Sequence, residues 1–185
     1  MADYEFSTGY AESIMRAIKR SPKANEIYGR ISPEAMRLFD NPWSSPWHPA
    51  KLLEEIGEAS VAELGENVFE ELTRVTMKER IGPILMPMLK TTLATKSPAN
   101  ILKKLQELTK VAVRGVGIQY QNEGEGAGLV QIVYPRPVAK HVVTSWVGVI
   151  KFVFDITSPG EVRQSTQSDD GATLQYFVTW TEPAK

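Results

Sequence analysis

The hydrophobic period of this sequence changes at Val111, and that change limits the possible folds. Before it, apolar residues recur at helical spacing; after it, they alternate with polar residues as in half-buried strands. The sequence therefore predicts an α+β domain in which N-terminal helices pack against a C-terminal β-β-α-β-β unit. We predict one domain over residues 1–185, with 1–110 mainly helical and 111–181 forming an antiparallel four-stranded sheet and its helix.

Caps and apolar stripes mark the helices of the first part. Ser32 followed by Pro33 predicts a helix start, and residues 49–64 carry an apolar stripe. Between them, the proline-rich "DNPWSSPWHP" predicts a connector that Trp43 and Trp47 pin onto the domain. Further helices are predicted after Gly65, near Pro83 and after Ser97-Pro98. The helix after Gly65 has an apolar stripe of Val68, Phe69, Leu72 and Val75.

Two hairpins and a helix are predicted after Val111. The first hairpin turns at the glycine-rich "NEGEGAG", and the second turns at Asp170-Gly171. Between them, a helical stripe runs from about Val138 to Phe154. In the last strand, one face is apolar: Leu174, Tyr176, Val178 and Trp180.

Composition excludes several classes of function. The chain has no cysteine, which removes disulfides, thiolate metal sites and thiol nucleophiles. Its net charge of −1 argues neither for nucleic acid nor for a membrane surface, and its longest apolar run is too short to span a bilayer. We therefore expect no nucleic-acid partner and no membrane span. No signal peptide is recognisable at the start, so we expect a cytoplasmic protein.

Motifs that carry chemistry are absent from the sequence. The "GEGAG" stretch precedes a strand rather than a helix, so it predicts a turn and not a phosphate loop. Paired carboxylates occur, as at Glu54–Glu55, but they are expected on solvated faces. Two isolated histidines do not make a zinc site. We therefore predict no catalytic residue, no metal site and no cofactor, and an enzyme is the least supported class.

The order of elements resembles a known group of folds. Residues "ILKKLQELT", "GAGLVQIVYPRP", "VVTSWVGVIKFVF" and "GATLQYFVTW" resemble the C-terminal half of the haem–nitric-oxide-binding domain and the related 4-vinyl-reductase and TRAPP-subunit domains. Residues 32–64 also resemble a family of similar length that is expanded in myxobacteria. The resemblance covers roughly residues 32–181 and implies a ligand cavity or a dimer surface between helices and sheet.

The chain departs from the haem-binding members where haem is held. Thr109 stands at the position that matches the proximal histidine, and a threonine hydroxyl does not replace that ligand. Val133, Pro135 and Pro137 align with the Tyr-x-Ser-x-Arg motif that holds the haem propionates. The resemblance therefore implies this fold without haem. His141 lies in a different element, and we expect it at the core edge or as a helix cap.

Two hypotheses follow for function. The first is a non-catalytic regulatory or sensory module in signalling that binds a small apolar ligand between helices and sheet, in a pocket built from Met86, Met88, Leu89, Leu105, Leu108, Trp146 and Ile150. The second is a homodimeric interaction or scaffold protein, or one that binds another signalling protein. It rests on the contrast between glutamate-rich residues 51–71 and lysine- and arginine-rich residues 74–114.

Overall fold

A computed structural model of the chain describes residues 3–80, 82–83 and 97–182. In chain order its elements are β1 (Glu5–Ser7), α1 (Thr8–Lys19), α2 (Ala24–Tyr28), α3 (Pro33–Asp40), a 3-10 turn (Pro42–Ser44), β2 (Trp47–Pro49), α4 (Ala50–Leu64), α5 (Glu66–Arg80), α6 (Pro98–Lys103), α7 (Leu105–Thr109), β3 (Val113–Arg114), β4 (Gly117–Gly124), β5 (Ala127–Val133), α8 (Lys140–Ile156), β6 (Gly160–Gln167) and β7 (Thr173–Trp180). None of the helices in these ranges is long and apolar enough to cross a membrane.

The predicted four-stranded antiparallel sheet is confirmed. Its strand order is β4-β5-β7-β6, so the two hairpins lie side by side and β5 pairs with β7 at the centre. Gly171, at a φ of +70°, makes the turn between β6 and β7, where a side chain would be strained. The alternating residues Leu174, Tyr176 and Val178 are fully buried, as the period-two pattern predicts.

Helix α8 packs with the sheet on one side and with α5 on the other. Because both sides are covered, its sequence is apolar nearly all round, and Ile150 and Val153 are fully buried. Gly148 permits the close approach to α5: a Cβ atom there would lie 2.5 Å from the Glu70 carbonyl oxygen. The predicted helix is thus confirmed, with bounds two residues later at each end.

A second, three-stranded sheet was not predicted from the sequence. Its order is β2-β1-β3, so the N-terminal strand joins the proline-rich connector to the residues that precede the first hairpin. Phe6 in its central strand is 1% exposed. Strands of two or three residues are too short to display an alternating pattern, which is why the sequence did not reveal them.

Several local predictions for the helical part are corrected. Trp43 does not pin the connector, since it is 66% exposed. Instead, the buried His48 holds it to α1, with Nε2 3.1 Å from the Thr8 hydroxyl oxygen. The buried face of α5 is Phe69, Thr73, Thr76 and Met77, whereas Val68 and Val75 are exposed. The helix predicted after Ser97 is interrupted at Lys104. The helix predicted near Pro83 falls mostly outside the described residues.

Candidate ligand-binding site

A cavity of about 80 Å³ lies where the helical part meets the β-β-α-β-β unit, partly open to solvent. Side chains from α1, α4, α5, α7 and α8 line it. It also separates the two hydrophobic clusters of the described chain, one built around α1, α3 and α4 and the other around α8 and the sheet. Its aromatic wall consists of six rings: Tyr4, Phe6, Tyr10, Phe69, Tyr134 and Trp146.

The aromatic wall is ordered by a buried hydrogen bond. Trp146 Nε1 donates to the Tyr134 hydroxyl oxygen at 2.6 Å, and the edge of Tyr4 packs on Tyr134 with ring centroids 4.9 Å apart. Burial raises the pKa of Tyr134 far above its usual range, and burial raises the pKa of Tyr10 to about 12. Both phenols are therefore neutral at pH 7, and the wall is apolar with hydroxyl groups at fixed places.

Glu54 is the carboxylate of the cavity wall, and its charge is compensated. The Tyr4 hydroxyl donates to Glu54, and Arg136 Nη2 donates to its other oxygen at 2.9 Å. Arg136 also donates from Nε to Asp3 at 2.9 Å and lies over the Tyr4 ring. This network joins the start of the chain to the segment between β5 and α8, and it leaves the cavity without an uncompensated charge at Glu54.

His141 lines the cavity and carries a buried nitrogen without a hydrogen-bond partner among the described residues. It lies in the first turn of α8 and is 6% exposed, and its Nε2 atom has no hydrogen-bond partner in the described structure. It does not cap the helix, where Ala139 takes the N-cap position. Burial lowers the pKa of His141 below its ordinary value, partly opposed by Glu54 and Glu58, so the imidazole is neutral at pH 7.

Gly57 on α4 leaves the room that the His141 ring occupies. A Cβ atom at Gly57 would lie 2.7 Å from His141 Cδ2, closer than such atoms approach in proteins. The imidazole is therefore held between Gly57 and the edge of the Phe69 ring, whose centroid is 6.3 Å away. Three elements, α4, α5 and α8, together fix the orientation of this side chain.

Three other polar groups of the wall are satisfied within their own helices. Thr73 Oγ1 donates to the Phe69 carbonyl at 3.1 Å, Thr109 Oγ1 to the Leu105 carbonyl at 2.8 Å, and Ser145 Oγ to the Val142 carbonyl at 3.2 Å. Thr109, at the position that resembles the proximal haem ligand, does line the cavity. Its hydroxyl is already bonded to the main chain of its own helix.

Of the pocket residues predicted from sequence, Trp146 lines the cavity. Leu105 and Ile150 lie in the hydrophobic cluster between α8 and the sheet, and Leu108 packs against that cluster. Met86, Met88 and Leu89 lie outside the described residues. The sequence reading did not identify Tyr4, Tyr10, Glu54, Tyr134 and His141 as wall residues, because they are spread over the chain and meet only in the folded molecule.

One of these missed residues has a signal in the sequence. Alternation along β5 places Tyr134 on the same face as Val130 and Ile132, and it is buried like them. Val133, which was aligned with the tyrosine of the propionate motif, is 40% exposed and points to the other face of the sheet. Tyr134, one residue later, is the residue that lines the cavity.

Comparison with solved structures gives H-NOX domains. An Fe(II) unliganded H-NOX variant from K. algicida superposes with a TM-score of 0.66 at 8% identity, over 95% of this chain and 97% of that chain. A Cs H-NOX variant with an unnatural amino acid superposes with a TM-score of 0.60 at 13% identity, over 96% of this chain and 97% of that chain. An H-NOX variant from T. tengcongensis superposes with a TM-score of 0.56 at 14% identity, over 95% of this chain and 98% of that chain. This chain has the H-NOX fold.

The H-NOX likeness confirms the relation inferred from the sequence segments, and it concerns the fold alone at these identities. No family model and no curated protein matches the sequence. The relation to a myxobacterial family accordingly stays a prediction.

H-NOX structures are associated with heme, so its fit to this cavity has to be tested. Pockets for drug-sized ligands measure about 300–1,000 Å³. The cavity has about 80 Å³, and a haem is larger than most such ligands. Thr109 donates its hydroxyl to the main chain of its own helix, and this oxygen stands where the haem-binding members have a histidine. As the described residues place them, the cavity and Thr109 do not fit a haem.

Proposed function

We propose that this chain is a non-catalytic sensory or regulatory module that binds a small, mainly apolar ligand, and no haem, in the cavity between its helices and its sheet. The observation that carries the proposal is the cavity itself, lined by six aromatic rings of the described residues at the junction of two hydrophobic clusters. A concave apolar site with few polar groups is the usual form of a small-molecule site. The H-NOX fold supports this proposal, because a similar solved structure was used to study the molecular mechanism of H-NOX activation.

The polar groups of the cavity favour binding over catalysis. A nucleophile requires a neighbouring base, yet the wall hydroxyls of Thr73, Thr109 and Ser145 donate to main-chain carbonyls. Glu54 is paired with Arg136 and Tyr4, so it is poorly placed to act as a general base. A ligand in this site would be held by shape and by one or two hydrogen bonds.

Position between the two clusters suits a regulatory role. The walls come from α1 and α4 on one side and from α8 on the other, so a ligand contacts both halves of the molecule. A ligand that prefers one relative placement of the halves shifts the population toward it by its difference in affinity. A ligand bound in this cavity would therefore affect the sheet as well as the helices.

The test is a thermal-shift and calorimetric screen with three classes of compound: rings of five or six atoms, long-chain fatty acids and tetrapyrroles. We expect stabilisation by the compact rings alone. When the ligand concentration is a hundred times Kd, binding raises the free energy of unfolding by about 2.7 kcal/mol, which a melting curve resolves. No stabilisation by any class would overturn the proposal.

A matched pair of variants locates the binding. Val149→Phe places a larger side chain in the cavity wall and should abolish the thermal shift. Val111→Phe makes the same change at a position that is 57% exposed, and it should leave the shift intact. A compound that stabilises both variants equally binds elsewhere and does not support the proposal.

A further inference from the structure

We propose that the contact of His141 with Gly57 of α4 is an acid-sensitive switch. This histidine contact holds α4 against α8 while the imidazole is neutral, and protonation of the imidazole releases α4. The switch operates in the protein without a ligand, so it goes beyond the proposed function and does not depend on it.

The histidine contact fits a neutral ring and contains no partner for a charged one. A Cβ atom at Gly57 would lie 2.7 Å from His141 Cδ2 and 3.1 Å from Nε2, and the Phe69 ring lies on another side of the imidazole. Nε2 is buried and has no hydrogen-bond partner among the described residues. An imidazolium carries an N–H on both nitrogens, and burying an unpaired cation is strongly disfavoured. Protonation therefore opposes this packing.

The carboxylates of α4 do not supply the missing partner in the closed arrangement. Glu54 and Glu58 are the groups whose negative charge acts on His141. Glu54 is already bonded to Tyr4 and Arg136, and Glu58 is exposed. An imidazolium could approach the Glu58 carboxylate, and water, only after α4 has moved away from α8.

The charged side chains of the other two helices are paired with each other. From α5, Glu66 binds Lys140 and Glu70 binds Lys151, and both lysines belong to α8. Lys140 directly precedes His141 and adds positive charge beside it. A protonated His141 would therefore gain no ion pair from α5 or α8 while the helices stay in place.

The direction of the switch follows from the two states of the ring. Burial lowers the pKa of His141 in the closed form, and contact with water in the open form restores a value of about 6.5. Below that value the open form binds more protons than the closed form, so acid shifts the population toward the open form. Between pH 7.5 and pH 5.5 the open fraction should rise several-fold, up to about tenfold.

Helix α4 can separate locally, because its contact with α8 is the smaller of two. Helix α8 packs more extensively with α5 and also lies against the sheet. The cavity, which is partly open to solvent, already lies between α4 and α8. Ile56 and Ala59 of α4 belong to one hydrophobic cluster, and Val142 of α8 belongs to the other. Release would widen the cavity at the boundary of the clusters and leave each cluster folded.

Hydrogen exchange of the full chain, read by mass spectrometry at pH 7.5 and pH 5.5, tests the switch. The rates are first corrected for the pH dependence of chemical exchange. Peptides from α4 should then exchange several-fold faster at pH 5.5, up to about tenfold. Peptides from β5 and β7 should keep the same corrected rate, because the sheet does not open.

Three variants assign the response to the histidine contact. His141→Leu removes the titrating group and should abolish the acceleration in α4. His48→Gln replaces the other of the two histidines and should keep it. Gly57→Ala should accelerate exchange in α4 already at pH 7.5, because its Cβ atom would lie 2.7 Å from His141 Cδ2.

Three outcomes would overturn the switch. The first is an acceleration of less than about twofold in α4 of the wild-type protein, where linkage predicts more. The second is an acceleration that persists in His141→Leu, and the third is an equal acceleration in α4 and in the sheet. These measurements contain no ligand, so they leave the proposed function to its own test.

Nitrogen NMR of the wild-type imidazole provides a readout that does not rely on a variant. At pH 6 an exposed histidine is mostly protonated, whereas His141 should be mostly neutral. A His141 ring that is mostly protonated at pH 6, with exchange in α4 unchanged, would show that the closed contact accommodates the cation. That result would overturn the switch even if the variants failed to fold.

Discussion

At the scale of single residues, the two histidines of this chain differ in their hydrogen bonding. His48 is buried with Nε2 near the Pro42 carbonyl and the Thr8 hydroxyl, so its ring holds the connector to α1. His141 is buried with Nε2 unpaired. An unpaired buried polar group costs about 1–3 kcal/mol of folding free energy. His141 therefore reduces stability, which is typical of side chains that serve a binding site.

The contrast predicts opposite effects of the same substitution. In the absence of ligand, His141→Leu should raise the free energy of unfolding by about 1 kcal/mol, because an orphan nitrogen is replaced by an apolar group of similar size. His48→Leu should lower it by about 1–3 kcal/mol, because the partners of Nε2 are left unsatisfied. Urea denaturation measures both; a loss of stability in both variants would contradict this reading of His141.

The pH dependence of stability follows from the same group. The pKa of His141 is lower in the folded protein than its ordinary 6.5, so below that value the unfolded chain binds more protons. The contribution of the neutral His141 to the free energy of unfolding is complete above pH 6.5, and it is lost as the pH falls through the folded-state pKa. Each unit of lowering is worth about 1.4 kcal/mol. Wild-type protein should therefore lose more stability than His141→Leu between pH 7 and pH 5 in thermal melts, and parallel curves would contradict it.

At the scale of elements, the packing of α8 against α5 determines the geometry of the cavity. Both helices contribute walls, and their close approach depends on Gly148, where the α5 backbone lies within contact distance. Arg74 of α5 binds Asp155 near the end of α8, and Lys151 binds Glu70, so ion pairs flank the apolar contact. The apolar contact fixes the distance, because partly exposed ion pairs contribute little.

Gly148→Ala tests this contact. The added Cβ atom would lie 2.5 Å from the Glu70 carbonyl oxygen, so the two helices must move apart. We expect a loss of about 1–3 kcal/mol, as for other overpacked cores. Gly29→Ala is the matched control, since its Cβ would have no neighbour closer than 3.5 Å and its φ of −67° suits alanine. Chemical denaturation should give a lower free energy of unfolding for Gly148→Ala than for Gly29→Ala. Equal stabilities would show that the packing of α8 does not depend on its close contact with α5.

At the scale of the whole molecule, the acidic segment is mostly neutralised within the chain. Six of the seven glutamates of residues 51–71 bond to partners in the same chain: Glu54 to Arg136, Glu55 to Ser32, Glu63 to Arg30, Glu66 to Lys140, Glu70 to Lys151 and Glu71 to Arg74. The homodimer remains a prediction, but the acidic half of the charge contrast that motivated it is largely paired within the fold.

We therefore expect no association driven by charge pairing. Light scattering at about 0.05 M and 0.5 M salt should give the same molecular mass, because screening acts mainly on charges that are unpaired and exposed. A dimer that dissociates as the salt concentration rises would restore the charge-pairing hypothesis.

The absence of haem binding is the second prediction at this scale. Purified protein, expressed with excess haem precursor, should show no Soret absorption, because the cavity is small and Thr109 is bonded to its own helix. Thr109→His alone should not restore tight binding, since the volume is unchanged. A Soret band in the wild type that His141→Ala abolishes would show that this nitrogen takes an iron.

The sequence alone determined the class of fold, because periodicity is a local property. The change of period at Val111, the cap at Ser32 and the turn at Asp170-Gly171 were each predicted and are found in the structure. Such signals depend on neighbours within a few residues, and no knowledge of distant contacts is needed to interpret them.

Only the tertiary structure decided the site. Tyr4, Glu54, Thr109, Tyr134 and His141 are far apart in the chain and meet at one cavity. The short strands of the second sheet bring the N-terminus there through hydrogen bonds to distant residues, which leave no local pattern. Whether a buried histidine has a partner likewise depends on what packs around it. The unpaired Nε2 of His141 is therefore a property of the folded molecule and not of its sequence.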